Sequence, residues 1–257
     1  MSTNTNKGSL VAERTLKALM LFAKSKNILV SDVAASLDIS LAASYRIIDT
    51  LSSMGFIIRN EDKTYTLDPL NILKLYKMIE QDLRKAARPV LRELVTDLDE
   101  SVYISILNQG RNFMYIDKED NPAPFKWSTT IGEVLPIPAG TAGKTHLAYL
   151  VKDLPEAEKD AFISELELKP FTKKSITTPE ELKKSINKIL EDGYCITNSE
   201  QSNGVIGIAV PIFKWNQDQV VAVLGMHMLE ANFSEEKLQD YVAKLMKGSK
   251  KISESIY

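Results

Sequence analysis

Apolar residues recur at helical spacing in three successive stretches near the start of the chain. In the first stretch, one apolar stripe predicts a helix packed through Leu16, Leu19, Met20 and Ala23. Ser31 is a favourable N-cap residue and predicts the start of a second helix, which Asp38-Ile39-Ser40 then breaks. A third helix is expected over Leu41 to Met54, because Gly55 supplies a stop signal directly after it.

The third helix has two distinct faces, and a hairpin follows it. The inward face is expected to carry Ser44, Ile47, Ile48 and Leu51, and the outward face Ala42, Ala43, Tyr45, Arg46 and Asp49. Two β-favouring runs, residues 56–59 and 64–67, flank a polar turn. Helix, tight break, helix and hairpin is the order of a winged helix-turn-helix, whose last helix enters the major groove of DNA. The alternative is an unrelated small helical domain, which the small Ala34 at the helix crossing disfavours.

Beyond Asp68-Pro69 the pattern changes to intermixed strands and helices. A connecting helix is predicted over Leu70 to Gln81, and a further helix over Ala86 to Leu94, with Pro89 near its first turn. Strands are then expected at residues 102–107, 113–116, 194–197, 205–213 and 220–228, and helices at 143–150, 156–166, 179–192 and 234–247. This order predicts an α+β domain built on an antiparallel sheet.

Composition narrows the class of protein and its location. A chain of 257 residues, 44% hydrophobic and 26% charged, is long enough for two globular domains. Apolar runs such as Val220 to Leu224 are far too short to cross a bilayer, and no secretion signal precedes the first helix. A cytoplasmic protein that makes no membrane contact is therefore expected. The net charge of −2 gives no global attraction to nucleic acid, so charge alone does not indicate DNA binding.

The sequence offers little chemistry for a metal site or a catalytic centre. Cys195 is the only cysteine, and the two histidines stand far apart without ligand spacing, so no metal and no cofactor are predicted. The run Gly140 to Thr145 contains G-K-T, but Pro138 occupies the first glycine position of a P-loop and has no N–H for phosphate. Cys195 is interpreted as a buried thiol. No catalytic residue is predicted, and the rival hypothesis is an enzyme acting on a small metabolite through the C-terminal α+β domain.

Local strings in both halves of the chain carry a resemblance to a known family. In the N-terminal part they are Arg14 to Leu19, Val33 to Leu37, Tyr45 to Ile48, Met54 to Ile57 and Tyr65 to Leu67. In the C-terminal part they are Ala87 to Pro89, Leu135 to Ala139, Gly143-Lys144, Gly193 to Glu200 and Ala209 to Phe213. Together they resemble the isocitrate-lyase-regulator (IclR) family of bacterial regulators across nearly the whole chain. Departures from the family pattern occur at Thr197, Gly207 and Lys214, and at Leu41, Ala42 and Ala43, where Lys, Ser or Thr is usual.

The resemblance implies a domain organisation and a set of partners. It assigns residues 1–68 to a winged helix-turn-helix DNA-binding domain, residues 69–82 to a connecting helix and residues 83–257 to a GAF-like α+β effector-binding domain. It implies a regulator whose binding to a double-stranded DNA operator changes when a small metabolite occupies the C-terminal domain. It also implies a homo-oligomer, either a dimer through the N-terminal region or a dimer of dimers.

The expected DNA contacts lie on the first and third helices, the N-cap of the third helix and the hairpin. Arg46 is the first candidate, because an arginine on a recognition helix can reach guanine or phosphate through its planar donor fork. The alternative for Arg46 is a solvated surface arginine. The other candidates either face the groove or can bind phosphates. The full predicted set is Arg14, Ser40, Ala42, Ala43, Tyr45, Arg46, Arg59 and Lys63.

The expected effector contacts follow from the resemblance, which places them on one loop and on several strands. The predicted set is Ala139, Gly140, Thr141, Ala142, Thr197, Val205, Gly207, Gly225 and His227. Strand alternation puts Gly225 and His227 on one face, and Gly207 and Gly225 are expected to leave room for a ligand. His227 can offer a donor, or a positive charge when protonated, to a carboxylate of the metabolite. The alternative of a histidine hydrogen-bonded within the core stays open.

Overall fold

The computed structural model of the protein describes residues 9–72, 74, 83–108 and 111–256. The chain divides into two compact units, Met1–Gln81 and Asp82–Tyr257. Residues 69–72 and 74 are helical, and the remainder of the connecting helix predicted over Leu70 to Gln81 lies outside the described residues. The sequence also predicts a turn at Asn108-Gln109-Gly110, between the strands at 102–107 and 113–116, and residues 109 and 110 of it lie outside the described residues.

The first unit consists of three helices followed by a two-stranded antiparallel hairpin. Its elements are α1 (Leu10–Leu21), α2 (Val30–Leu37), α3 (Leu41–Ser53), β1 (Ile57–Arg59) and β2 (Tyr65–Leu67). The three helices and the hairpin enclose one small core, to which Ala18, Val33, Ile48 and Ile57 contribute fully buried side chains. This order of elements is the one that the hydrophobic pattern predicts.

The apolar stripe predicted for α1 is wrong except at Leu19, which packs against the core of the unit. Leu16 and Met20 are 64% and 62% exposed, and Ala23 is exposed as well. The helix instead buries Ala18, and Phe22 packs beside it directly after the helix. The small Ala18 lets α1 approach α2 and α3 closely, so a different face from the one richest in large apolar residues turns inward.

The predicted start of α2 at Ser31 is also wrong. The helix begins at Val30, with Leu29 as its N-cap, so Ser31 lies within the first turn. The carboxylate of Asp32 accepts a hydrogen bond from the Leu29 N–H at 2.9 Å. An acidic side chain therefore caps this helix end from inside the first turn, and the Ser31 hydroxyl is not needed there.

The second unit is an α+β domain on a six-stranded antiparallel sheet with the order β5-β4-β3-β8-β7-β6. The short strand β5 has no counterpart in the sequence prediction. The elements are α4 (Leu83–Leu98), β3 (Ser101–Asn108), β4 (Asn112–Glu119), β5 (Val134–Pro136), α5 (Gly140–Val151), α6 (Glu156–Ser164), α7 (Pro179–Asp192), β6 (Cys195–Asn198), β7 (Val205–Phe213), β8 (Val220–Leu229) and α8 (Leu238–Glu254). Among the described helices, none is long and apolar enough to span a bilayer.

Helices cover both faces of this sheet. α4 and α8 pack on one face, and α5, α6 and α7 lie on the other. A Cβ on Gly248 would lie 2.8 Å from Leu94, which shows how closely α8 approaches α4. Pro89 was predicted near a first turn, but it lies inside α4. The buried residues on either side of it, Ala87 and Val90, hold the helix against the sheet, so packing compensates for the missing N–H.

A β-bulge in β4 directs two side chains of that strand to opposite faces of the sheet. Ile104 pairs with Asp117 and Ser105 with Tyr115, so Ile116 is the extra residue. As a result Tyr115 joins the core under α5, whereas Asp117 faces α4 and accepts hydrogen bonds from Arg84 and Arg88 at 3.2 and 3.0 Å. Because of the bulge, β4 contributes Tyr115 to the core on one face of the sheet and Asp117 to the contact with α4 on the other.

Candidate DNA-binding surface and ligand cleft

The turn between α2 and α3 fixes the start of α3. Asp38 ends α2 in the left-handed conformation, with φ 49°. Ser40 then caps α3, because its hydroxyl oxygen accepts a hydrogen bond from the Ala43 N–H at 3.2 Å and its carbonyl accepts one from the Ser44 N–H at 3.0 Å. These local bonds set the angle at which α3 leaves the turn.

The two faces of α3 agree with the sequence prediction. Its buried residues are Ser44, Ile47, Ile48 and Leu51. Its outward surface consists of Leu41, Ala42, Tyr45, Arg46 and Asp49, all exposed, with Ala43 half-buried at the edge. Arg46 and Asp49 are the charged residues of the helix. α3 therefore presents a mostly uncharged face with a single exposed guanidinium.

The remaining predicted DNA-binding residues lie on other elements of the first unit. Arg59 is exposed on β1, and Lys63 is exposed in the hairpin turn with φ 68°. Arg14 is half-buried on α1. In the turn, hydrogen bonds from Thr64 lower the pKa of Asp62, so this carboxylate stays ionised beside Lys63. The hairpin tip is therefore of mixed charge.

Five of the nine predicted effector residues line one small cleft in the second unit. We call it the His227 cleft, and the five are Thr141, Thr197, Val205, Gly207 and His227. Three further residues that the sequence did not predict line the cleft: Trp127, Gln201 and Ser202. Trp127 lies in the loop between β4 and β5, and the other two lie in the loop between β6 and β7. Loop residues carry no periodic signal, so only the fold reveals them.

The other four predicted residues take different positions. Ala139 and Gly140 line a second small cleft nearby, and Ala142 is buried on α5. Gly140 adopts φ 57°, a backbone conformation that favours glycine, and the side-chain oxygen of Gln201 lies in the space that a Cβ would occupy. Gly225 lies beneath the ring of Tyr103.

The expectation that Gly207 and Gly225 leave room for a ligand is wrong in this structure. A Cβ on Gly225 would collide with Tyr103, and one on Gly207 would lie 2.7 Å from the Thr141 hydroxyl. The Tyr103 ring stacks on His227 with centroids 4.6 Å apart, and its hydroxyl lies 3.1 Å from that of Thr141. Protein side chains fill the space above both glycines.

His227 is a neutral histidine. Burial lowers its pKa to about 4, so the ring is uncharged near neutral pH. The positive charge considered from the sequence is therefore not available, and His227 can take part only through hydrogen bonding and stacking. Its stacking partner Tyr103 is buried too, and burial raises the pKa of that phenol well above its usual range.

Two buried hydroxyls have no hydrogen-bond partner in the described part of the chain, those of Tyr115 and Thr129. The Tyr115 ring packs edge-on against Tyr103 and Phe113, with centroids 5.0 and 5.4 Å apart. Burial raises the pKa of Tyr115, and the Gln201 side chain opposes this rise as a nearby hydrogen-bonding group, although the two do not meet the geometry of a hydrogen bond. A buried polar group left unsatisfied is costly, and neither hydroxyl belongs to a residue that lines the His227 cleft.

The G-K-T string forms no phosphate loop. Lys144 lies inside α5, and its ammonium forms an ion pair with Glu200 at 2.8 Å. Thr145 donates its hydroxyl to the Thr141 carbonyl at 2.8 Å. Cys195 is buried, and burial raises the pKa of its thiol to about 11, against the opposing effect of Lys144. The interpretation of Cys195 as a buried thiol is confirmed.

A helix-turn-helix with a wing, joined to an α+β domain with a small ligand cleft, defines a ligand-responsive DNA-binding regulator. The family model for the C-terminal domain of IclR, a bacterial transcriptional regulator, matches residues 77–254. The chain therefore belongs to the IclR family of bacterial transcriptional regulators. The prediction of the family, of the α+β fold and of a regulator is confirmed, and the enzyme alternative has no support.

Relatives of known name and structure agree with this assignment. The HTH-type transcriptional regulator KipR of Bacillus subtilis (strain 168) is 29% identical over 253 residues, 98% of each chain. The crystal structure of the Thermotoga maritima IclR covers 95% of this chain and 97% of its own, with 26% identity and a TM-score of 0.75. An IclR homologue from Microbacterium hydrocarbonoxydans, solved with 4-hydroxybenzoate, covers 95% of this chain and 98% of its own. Its TM-score is 0.82, and its 19% identity supports the shared fold alone.

Proposed function

We propose that α3 and the β1–β2 hairpin bind an operator in double-stranded DNA, and that a small metabolite in the His227 cleft changes that binding. The observation that carries the DNA surface is the outward face of α3, which is exposed and includes Arg46. Arg46 reads a guanine or grips a phosphate, flanked by Ala42, Ala43 and Tyr45. Ser40 at the N-terminus of α3, Arg14, Arg59 and Lys63 contact phosphates. The protein acts in the cytoplasm, where its operator is.

Replacing Arg46 with alanine is expected to weaken specific operator binding by about 1 to 3 kcal/mol, because a bidentate arginine contact with guanine contributes about that much. The operator is first obtained by selecting fragments of the source genome on the full-length protein. Affinity is then measured by fluorescence anisotropy at one fixed salt concentration. Arg92→Ala, which removes an exposed arginine of the second unit, is the matched control. Undiminished affinity in a folded Arg46→Ala protein would refute the role of Arg46.

We also propose that the metabolite carries a carboxylate, held at the N-terminus of α5. Ala139 precedes this helix and has no side chain that can cap it, so the first N–H groups of α5 can serve an anion. Thr141 and neutral His227 line the His227 cleft beside this point, and the Tyr115 hydroxyl, in the core under α5, is the further donor that we assign to the metabolite. The side chain of Gln201 lies against Gly140 in this structure, and the metabolite displaces it. The 4-hydroxybenzoate bound by the Microbacterium homologue is a small carboxylate of this kind.

The carboxylate proposal predicts that small acids bind and that their primary amides do not. The panel starts with 4-hydroxybenzoate and 4-hydroxybenzamide, and titration calorimetry on the full chain measures binding. For an acid that binds, Tyr115→Phe and His227→Ala are each expected to lose about tenfold in affinity, because each variant removes one hydrogen bond to the charged carboxylate. Because His227 stays neutral, affinity should hardly change between about pH 6 and 8. Equal binding of acid and amide would contradict the proposal, and wild-type affinity in His227→Ala would remove His227 from the site.

We further propose that the protein is a homo-oligomer, a dimer formed through α1 of the first unit or a pair of such dimers. Leu16 and Met20 on α1 and Leu37 on α2 line a shallow exposed groove, which we call the α1 patch. Glu13 and Lys17 form an ion pair at its edge, so the patch carries both charges beside its apolar surface. A surface of this composition can pair with its own copy across a two-fold axis, which suits an operator with matched half-sites.

A further inference from the structure

The first turn of α3 presents no hydrogen-bonding side chain to DNA. Leu41 is 50% exposed and Tyr45 49%, and Ala42 is exposed between them. Helical spacing places Ala42, Tyr45 and Arg46 on the side of the helix away from the buried Ser44, Ile47 and Leu51. Leu41 lies at the edge of that side, seven residues before the buried Ile48, and is exposed because it begins the helix. An exposed leucine beside an exposed alanine is unusual on a surface expected to read polar base edges.

The chemistry of the major groove limits what this turn can recognise. Residues at the N-terminal end of a recognition helix contact base edges. Those edges are donors and acceptors, except for the 5-methyl group of thymine, which is apolar. Covering a polar edge with Leu41 removes water from it without replacing the hydrogen bond, which is costly. Covering a thymine methyl removes apolar surface from water on both sides, which is favourable.

On the proposed DNA-binding function, we propose that Leu41 and Ala42 recognise thymine 5-methyl groups, so that each operator half-site carries T·A pairs where the first turn of α3 meets the major groove. Arg46, one turn further along the same side, contacts the adjoining guanine or phosphate. Ser40 does not change this assignment: its hydroxyl oxygen accepts a hydrogen bond from the Ala43 N–H, and its hydroxyl hydrogen serves the phosphate contact proposed above, not a base edge. Acidic residues nearly balance basic ones over residues 1–68, so non-specific attraction to phosphates is weak and contacts in the groove supply a larger share of the binding free energy.

The test removes the 5-methyl group from individual thymines of the DNA and leaves the rest of each base unchanged. The full-length protein selects duplexes from a randomised library, and the enriched duplex is resynthesised with deoxyuridine replacing thymidine at one position at a time. Each methyl group in contact with α3 is expected to contribute roughly threefold to fivefold in affinity, the effect of burying one methyl-sized group. Substitutions elsewhere in the duplex should leave affinity unchanged. Anisotropy at one salt concentration measures each duplex.

A protein variant ties the effect to the first turn of α3. Leu41→Ala is expected to lose the preference for thymidine over deoxyuridine at one position per half-site and to keep it elsewhere. Met54→Ala is the control, because Met54 is a comparably exposed apolar residue just beyond the other end of α3. Circular dichroism confirms that both variants fold. An enriched duplex that tolerates deoxyuridine at every position overturns the inference while leaving the DNA-binding function intact. A library that yields no enriched sequence overturns both.

Discussion

Replacing Lys144 with alanine is expected to destabilise the second unit by about 3 kcal/mol, because it leaves the carboxylate of Glu200 buried without its partner. The side chain of Lys144 is 3% exposed and that of Glu200 18%. The remaining solvent contact of Glu200 places the effect at the low end of the range for a broken buried ion pair, which is about 3 to 5 kcal/mol. The carbonyl of Glu200 also accepts a hydrogen bond from the Ser175 hydroxyl at 2.6 Å, so the loop that carries Gln201 is held on both sides.

Urea unfolding followed by tryptophan fluorescence measures this effect selectively. Both tryptophans, Trp127 and Trp215, belong to the second unit, so the signal does not report the first unit. Lys144→Met and Glu200→Gln, made singly and together, form a double-mutant cycle, in which the double variant should recover much of the loss because no charge remains unpaired. Lys152→Ala is the control, since it breaks an ion pair on the surface and should cost little. A midpoint for Lys144→Ala close to wild type would show that this ion pair does not hold the unit together.

The sequence predicts an element well where one physical signal dominates. The inward face of α3 follows from helical spacing, and β7 and β8 follow from long apolar β-favouring runs; the bounds of β7 are the predicted ones. The start of α2 fails because two residues compete for the cap, and Asp32 prevails over Ser31 through its charge at the helix N-terminus. β5 is too short to carry any periodic signal.

The ligand cleft is less predictable because its shape depends on side chains distant in sequence. The two glycines Gly207 and Gly225 indicated free space for a ligand. That space is filled by Thr141 of α5 and Tyr103 of β3. Tyr115 was missed because its strand contains a bulge, and simple alternation along β4 would put Tyr115 and Asp117 on the same face. The role of a residue in such a cleft depends on packing partners that periodicity does not encode.

The exposed apolar side chains of α1 lead to the second prediction with a large expected effect, on dimerisation and operator binding. The spacing of Leu16 and Met20 indicates an apolar stripe on a packed helix, yet within one chain both side chains face outward. The proposed dimer reconciles the two observations, because a second copy covers the α1 patch that the pattern marks as buried. Such a dimer places two α3 helices on one operator, and the second half-site then binds at a high effective concentration.

The double variant Leu16→Lys, Met20→Lys is therefore expected to abolish dimerisation through the first unit and to weaken operator binding by a factor on the order of 10² to 10⁴. Two facing pairs of ammonium groups would have to lose water against apolar surface, which the dimer cannot tolerate. Sedimentation velocity measures the mass, and anisotropy with the selected operator measures the affinity. Val11→Lys is the control, because Val11 is an exposed apolar residue on a different side of α1. If the double variant keeps the mass and operator affinity of the wild type, α1 is not the dimer interface.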